Sequence, residues 1–137
     1  SGGDNEYLPH NHVKNSVVYP GTHDNTTITA WWESAATPKE KATAAAYLHL
    51  TGAHPTAKEV AAVKTAAART ALLRAALGSV ADRAIIPMYD WLGLGEEAHL
   101  NTPGKLGGNW AWRAAAGFES KTLAKTIADE CSVYCRV

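Results

Sequence analysis

Apolar positions fall along this chain in two short unbroken runs and three periodic stretches, and that pattern predicts its elements. Val17-Val18-Tyr19 joins two β-branched residues to a tyrosine with no charge among them, the composition of a buried strand. Pro20 and Gly21 stop it, because proline cannot donate to a ladder and glycine permits a sharp turn. Ala84-Ile85-Ile86, closed by Pro87, is the second such run. Between them lie two helix starts. Thr37-Pro38-Lys39-Glu40 offers an N-cap, a proline at the first helical position and a capping-box glutamate. The helix it opens is predicted to reach about Thr51, with Ala44, Tyr47 and Leu48 on one face and Gly52 ending it. Thr56-Ala57-Lys58-Glu59 is a second capping box, opening a long alanine-rich helix to about Leu77 with Gly78 at C′. Its stripe of Leu73, Leu77 and Val80 can pack on a sheet. The order β–α–α–β suits neighbouring parallel strands joined by a right-handed crossover. Beyond it, Met88–Leu92 reads as a short helix or turn ended by Gly93 and Gly95. Residues 96–108 read as loop, and Ser120 to Tyr134 as a helix whose apolar face is Leu123, Ile127 and Cys131. The fold class is α/β and helix-rich.

Chemistry is concentrated directly after the first strand. Thr22, His23, Asp24 and Asn25 supply a hydroxyl, an imidazole, a carboxylate and an amide, as strand ends do at the carboxyl-end face of an α/β barrel. Trp31 and Trp32 follow. Carboxylate beside tryptophan suggests a sugar site, since a pyranose offers hydroxyls at its rim and C–H groups on its faces. From the residues alone, Asp24 could equally cap the segment after the strand, and His23 could be a satisfied structural histidine.

Bulk properties narrow the reading. With 137 residues the chain is too short for a closed (β/α)8 barrel, which takes roughly 250. The first residue is Ser1 and the one methionine is Met88, so the chain reads as a piece whose N-terminal portion lies elsewhere. Thirteen basic and thirteen acidic side chains balance, and no basic patch argues for nucleic acid. No apolar run approaches the roughly 18 residues of a membrane span. Cys131 and Cys135 are four apart on a predicted helix, a spacing that sets their Cβ atoms about 5–6 Å apart, too far for a disulfide. They read as two free thiols, which fits a reducing compartment. His10-Asn11-His12 has a metal-ligand spacing, but without a defined third ligand it reads as a polar rim loop.

The motifs also resemble a known family. Asn15-x-Val17-Val18-Tyr19-x-Gly21-Thr22-His23-Asp24-Asn25 followed by Trp31-Trp32, then Asn101-x-Pro103-Gly104 and Gly108-Asn109-Trp110-x-Trp112-Arg113, is similar to the 4-alpha-glucanotransferases, the amylomaltases or disproportionating enzymes of glycoside hydrolase family 77. Tyr7-Leu8-Pro9-His10-Asn11 and Ala84-Ile85-Ile86-Pro87 fit the same pattern in the same order. The resemblance covers essentially the whole chain but only about the last quarter of a family member. It implies the C-terminal portion of a (β/α)8 TIM barrel, with residues 1–137 holding the last two strands and their helices.

What the resemblance implies about activity is specific. Asp24 would be the third carboxylate of the site, stabilising an oxocarbenium-like transition state, with His23 beside it. Asn101 would contact glucosyl hydroxyls. Asn109 and Trp110 belong to the second signature, where sugar contact stands against an architectural role for a segment in which a tryptophan is wedged under the rim and Arg113 fixes a loop. The nucleophile and the acid/base would lie upstream of Ser1. No metal or organic cofactor is implied. The partners would be malto-oligosaccharides or α-1,4-glucan, with no nucleic acid or membrane, and the compartment a plastid in plants or algae and the cytoplasm otherwise. Three positions depart from the family's pattern: Thr26 stands where an aspartate is usual, His99 where an arginine is common, and Tyr89 where a glutamine is more often found before the aspartate. Asp90, in Tyr89-Asp90, is assigned no catalytic role. The competing readings are an α-glucan hydrolase on the same barrel, a non-catalytic carbohydrate-binding module using the tryptophans and Asp24, and a helical packing domain without a ligand.

Overall fold

Strand β1 (Val17–Val18) pairs in parallel with β2 (Arg83–Ala84), Val17 opposite Arg83 and Val18 opposite Ala84, in a computed structural model that describes residues 2–136. Both strands are shorter than the apolar runs that predict them. Ile85 still donates its amide to the Val18 carbonyl at 2.9 Å, but Pro87 follows too closely for the ladder to continue. Val18 is buried, whereas Val17, Tyr19 and Ile85 are exposed. A strand turns alternate side chains to opposite faces, so Val18 alone of the first run faces the core.

After β1 the chain enters a short helix, α1 (Ile28–Ala30), which runs on into a π-helical turn, Trp31–Ala35. The sequence pattern does not predict this element. Then come α2 (Pro38–Tyr47), α3 (Ala57–Ala61), α4 (Thr65–Leu77), α5 (Met88–Leu92) after β2, and α6 (Lys121–Val133). Both capping boxes form. Thr37 and Thr56 accept from the backbone amides of Glu40 and Glu59, whose carboxylates bond back to the threonine amides and hydroxyls. Those bonds hold both glutamates below the usual carboxylate range.

Four predicted details are corrected. The alanine-rich helix is two helices: the chain breaks at residues 62–64, with Lys64 extended before α4 starts. Alanine has high propensity, but a helix end is decided by tertiary packing, and Val63 at the break packs beside the Trp32 cluster. Helix α2 stops at Tyr47 rather than Thr51, because His49 takes a left-handed conformation (φ 57°) and supplies the turn assigned to Gly52. Gly78 keeps a right-handed backbone (φ −79°). Its lack of a side chain serves space instead, since a Cβ there would meet the Tyr134 ring at 3.1 Å. Val80 lies beyond α4 and is exposed, so the buried stripe is Ala68, Leu73, Ala76 and Leu77.

Two small clusters make the core. Val18, Ala76 and Ala81 join β1 to α4, with Ala84 against them. Trp32, Ala45 and Ala68 join the π-turn, α2 and α4. Fully buried Ala45 and Ala68 leave room for the indole of Trp32, which is 4% exposed. Alanine at these positions sets how closely the helices approach. This burial also corrects one expectation: Trp32 belongs to the core and is not available to stack on a sugar. Helix α6 lies against α4 and α5, and its Leu123, Ile127 and Cys131 are half-buried. Arg74 holds Glu130 with two bonds of 2.8 Å, and Arg136 donates to the carbonyls of Leu77, Ser79 and Ala81. Both cysteines are free, and Cys135 sits past the helix end at φ 53°.

Because Trp32 fills the space between three elements, Trp32→Ala should destabilise the chain by about 3–5 kcal/mol, measured by urea unfolding. A loss below about 1 kcal/mol would show that the elements close over the gap.

Candidate functional site

The segment after β1 is shaped by its own side chains. Tyr19, Pro20 and Gly21 lead out of the strand, and the amide of Asn25 donates to the Thr22 carbonyl at 3.0 Å. Asn25 Oδ1 in turn accepts from the Thr22 amide at 2.8 Å and from its hydroxyl at 3.0 Å. Asparagine readily closes a turn in this way. Thr22 and Asn25 are therefore the base of a turn, and His23 and Asp24 its apex. Both apex side chains are about half exposed (51% and 47%), with His23 Nε2 3.4 Å from Asp24 Oδ1.

The far end of the segment is anchored in the core. Thr27, fully buried, caps α1 by accepting from the Ala30 amide at 3.1 Å. The Ile28 amide donates to Asp90 Oδ1 at 2.8 Å. Asp90 is 2% exposed. Burial pushes its carboxyl from 3.8 up to about 6, partly offset by the Ile28 amide and by the charge of Arg69. Arg69 comes so near the backbone at Gly93 that a Cβ there would overlap its guanidinium at 1.8 Å. Gly93 also has φ 70°, so that glycine is required twice over. Beneath the turn lies a cleft of about 280 Å³, lined by Pro20, Asn25, Thr26, Trp31, Leu72 and Asp90 among others. Asp24 stands outside that lining.

A second loop docks on the apex. Asn101 Nδ2 donates to Asp24 Oδ1 at 2.5 Å, and the Asn101 amide donates to the His23 carbonyl at 3.2 Å. Trp110 donates its amide to Leu100 at 2.6 Å, closing the loop, and takes a left-handed backbone (φ 59°). Its exposed indole lies over the His23 ring, centroids 4.9 Å apart and tilted by 39°. Asn109 is engaged at both ends of its amide: Oδ1 accepts from the Thr102 amide at 3.0 Å, and Nδ2 donates to the Lys105 carbonyl at 2.9 Å. Trp112 is half-buried and meets buried Tyr89 edge-on, centroids 5.9 Å apart. Arg113 forms no side-chain hydrogen bond among the described residues.

The structure thus gathers His23, Asp24, Asn101 and Trp110 at one place, with Asn109 holding the loop that carries two of them. Asp24 offers a half-exposed anion with one oxygen already oriented, and Asn101 a group that both donates and accepts. Next to them are an imidazole and an open indole face. This set can hold vicinal hydroxyls and place a negative charge beside a ring that becomes cationic. Two participants are not evident from the sequence. Asp90 lacks any strand-end motif. Glu96, which opens a 3-10 turn (Glu96–Ala98) within the span read as loop, accepts from the Thr26 hydroxyl and lies 2.9 Å from His99 Nδ1. The pair at positions 10 and 12 is structural. His10 pairs with the Tyr47 hydroxyl at 2.8 Å, and His12 with the Ser79 hydroxyl at 2.6 Å.

Comparison with known proteins places the chain in a family. The profile of the family described as 4-alpha-glucanotransferase, glycoside hydrolase family 77, matches residues 1–119, and the chain belongs to that family. It is 41% identical to the chloroplastic/amyloplastic 4-alpha-glucanotransferase of Arabidopsis thaliana, over 99% of this chain and 22% of that protein. It is 44% identical to the 4-alpha-glucanotransferase of Thermus thermophilus, over 85% of this chain and 22% of that protein. Among solved structures it resembles the amylomaltase from Streptococcus agalactiae in complex with acarbose, with a TM-score of 0.79 and 27% identity, over 98% of this chain and 24% of that one. The chain therefore spans about a quarter of the length of the relatives it matches.

The Asp90–Ile28 contact has a testable pH signature. Between the ordinary value of 3.8 and about 6, the folded chain keeps a proton that the unfolded chain has released. The group's contribution to stability therefore falls as pH rises through that window, and above it the full cost of a buried charge applies. Asp90→Asn keeps an oxygen for Ile28 and cannot ionise. The stability of the wild type relative to Asp90→Asn should decline from about pH 4 to about pH 6, followed by thermal unfolding. A difference that stays flat with pH contradicts the buried-anion account.

Proposed function

We propose that this chain is the carboxyl-terminal part of a 4-alpha-glucanotransferase catalytic domain and supplies its transition-state-stabilising carboxylate. In this reading β1 and β2 are the last two staves of a (β/α)8 barrel, and residues 1–137 belong to one barrel domain. The parent protein cleaves an α-1,4 bond of a malto-oligosaccharide, holds the donor as a covalent glucosyl-enzyme, and passes it to the 4-hydroxyl of another glucan. The nucleophilic and acid/base carboxylates of such a retaining reaction come from outside this chain. The observation that carries the proposal is the joined apex, in which Asp24 Oδ1 is held 2.5 Å from Asn101 and 3.4 Å from His23 at the end of a parallel strand. An anion there offsets the charge that develops on the glucose ring, and donors that need not move on reaction make that offset effective.

The remaining roles follow from the geometry. His23 donates to sugar hydroxyls and is kept in place by the indole of Trp110. Asn101 serves both Asp24 and the substrate. Asn109 contributes by holding the loop, since both ends of its amide are engaged there. Trp110 offers the exposed face against which a pyranose can lie. Malto-oligosaccharide or α-1,4-glucan is the substrate. The relative from Arabidopsis thaliana is named chloroplastic/amyloplastic, which supports a plastid for a plant or algal source; the cytoplasm is the compartment proposed for a bacterial one.

Two outcomes test this reading. In the full-length protein, Asp24→Asn keeps the contact with Asn101 but removes the charge, and should lower kcat for maltotriose disproportionation by roughly 10²–10³-fold. Undiminished turnover would end the proposal. The chain by itself, without the other two carboxylates, should release no glucose and build no longer oligosaccharides from maltotriose. Turnover by the chain alone would show that the complete catalytic set is already present in it.

A further inference from the structure

The apex turn and the second loop are joined a second time, away from the substrate-facing groups. Thr26 lies two residues after Asp24, and His99 two residues before Asn101. Glu96 bridges them: Oε2 accepts from the Thr26 hydroxyl, and Oε1 accepts from His99 Nδ1 at 2.9 Å. Each carboxylate oxygen thus takes one loop. We propose that Glu96 is a positioning residue for the Asp24–Asn101 pair, acting through Thr26 and His99, and so a determinant of the transferase reaction assigned above, on which this inference rests.

The argument is mechanical. The two loops meet at one place, where Asn101 and Trp110 contact the apex pair His23 and Asp24, and that meeting acts as a hinge about which both can rotate. A second contact two residues out on each side removes that rotation and fixes the distance across which a sugar hydroxyl must be shared. His99 makes the brace stiff. Its imidazole is only 13% exposed, and its Nε2 is buried without a partner among the described residues, so Glu96 is the polar group that orients the ring. The bonds from Thr26 and His99 also hold Glu96 below the usual carboxylate range, keeping it an acceptor for both. The glutamate itself is 68% exposed, and exposed pairs add little to folding stability. Its removal should therefore appear in the reaction and leave unfolding unchanged, which separates positioning from a structural role. An error of an ångström at a reacting pair is enough to slow catalysis strongly.

The test uses the full-length protein with maltotriose. Glu96→Ala should lower kcat by roughly tenfold, change KM by less than about twofold and leave the melting temperature within error. Glu96→Gln, which can still bond to both loops, should recover most of kcat. Thr26→Val, which cuts one arm only, should fall between. The losses from Glu96→Ala and Asn101→Ala should combine to less than their product, because both act on one pair. Unchanged kcat in Glu96→Ala, or losses that multiply, overturns the proposal. If the wild type itself does not disproportionate maltotriose, the functional reading has failed, and the brace is then judged by a crystal structure of Glu96→Ala. An Asp24–Asn101 contact still near 2.5 Å overturns it, and a parted pair supports it.

Discussion

The candidate site is held from below by one hydrogen bond, from the Ile28 amide to the buried carboxylate of Asp90. The nine residues from β1 to α1 carry the acid, the imidazole and the turn that presents them, but they contain almost no apolar side chain to fix them by burial. Their position is set instead at the two ends. At one end Val18 sits in the small alanine cluster under α4. At the other, Thr27 caps α1 and Asp90 takes the first free amide of that helix. A carboxylate so deeply buried is costly to keep charged, and its raised pKa records that cost. The fold tolerates it because Asp90 stands on α5, directly after β2, and so ties the exit of one strand to the exit of its neighbour.

From that anchor the site is built upward by loops bonding to loops. The turn at residues 22–25 closes on Asn25, the second loop closes on Asn109, and the two meet at Asp24–Asn101. Two of the three positions that depart from the pattern of the resemblance, Thr26 and His99, are the two ends of one bridge on Glu96. An aspartate at position 26 would set a second anion against Glu96. A hydroxyl donor there suits the glutamate, as does an imidazole at position 99. Thr26 and His99 thus serve one contact, through Glu96, between the two loops.

The sequence makes the local rules legible and the tertiary ones not. Both capping boxes, the parallel pair and α6 with its half-buried face follow from spacing and motif, while the association of His23, Asp24 and Asn101 is implied by the family resemblance. The break at residues 62–64 does not, because alanine runs carry no signal for where tertiary packing will end a helix. Trp31-Trp32 reads as a sugar platform by composition. The structure divides the pair: the π-turn buries Trp32 among alanines and leaves Trp31 at the cleft. The exposed indole beside the acid comes instead from Trp110, far away in sequence. Glu96 and Asp90 were invisible as participants because each acts through a partner some 60–70 residues distant, and nothing local distinguishes such an acid from a solvated one.

Asp24 and Asp90 show how one chain assigns two roles to one side chain. Asp90 is enclosed, receives a backbone amide, and reaches the surroundings only through the helix it holds. Asp24 is half exposed, is oriented by a neutral amide, and has an aromatic-backed imidazole beside it. A charge meant to stabilise a developing cation must be available before the cation forms and must not relax when it appears. A solvated carboxylate on a free loop fails the second condition, and a fully buried one tends to fail the first by taking up a proton. The apex of a turn, pinned by a second loop and open on the remaining side, meets both, which is why the proposed function gives Asp24 the electrostatic role and leaves Asp90 to architecture.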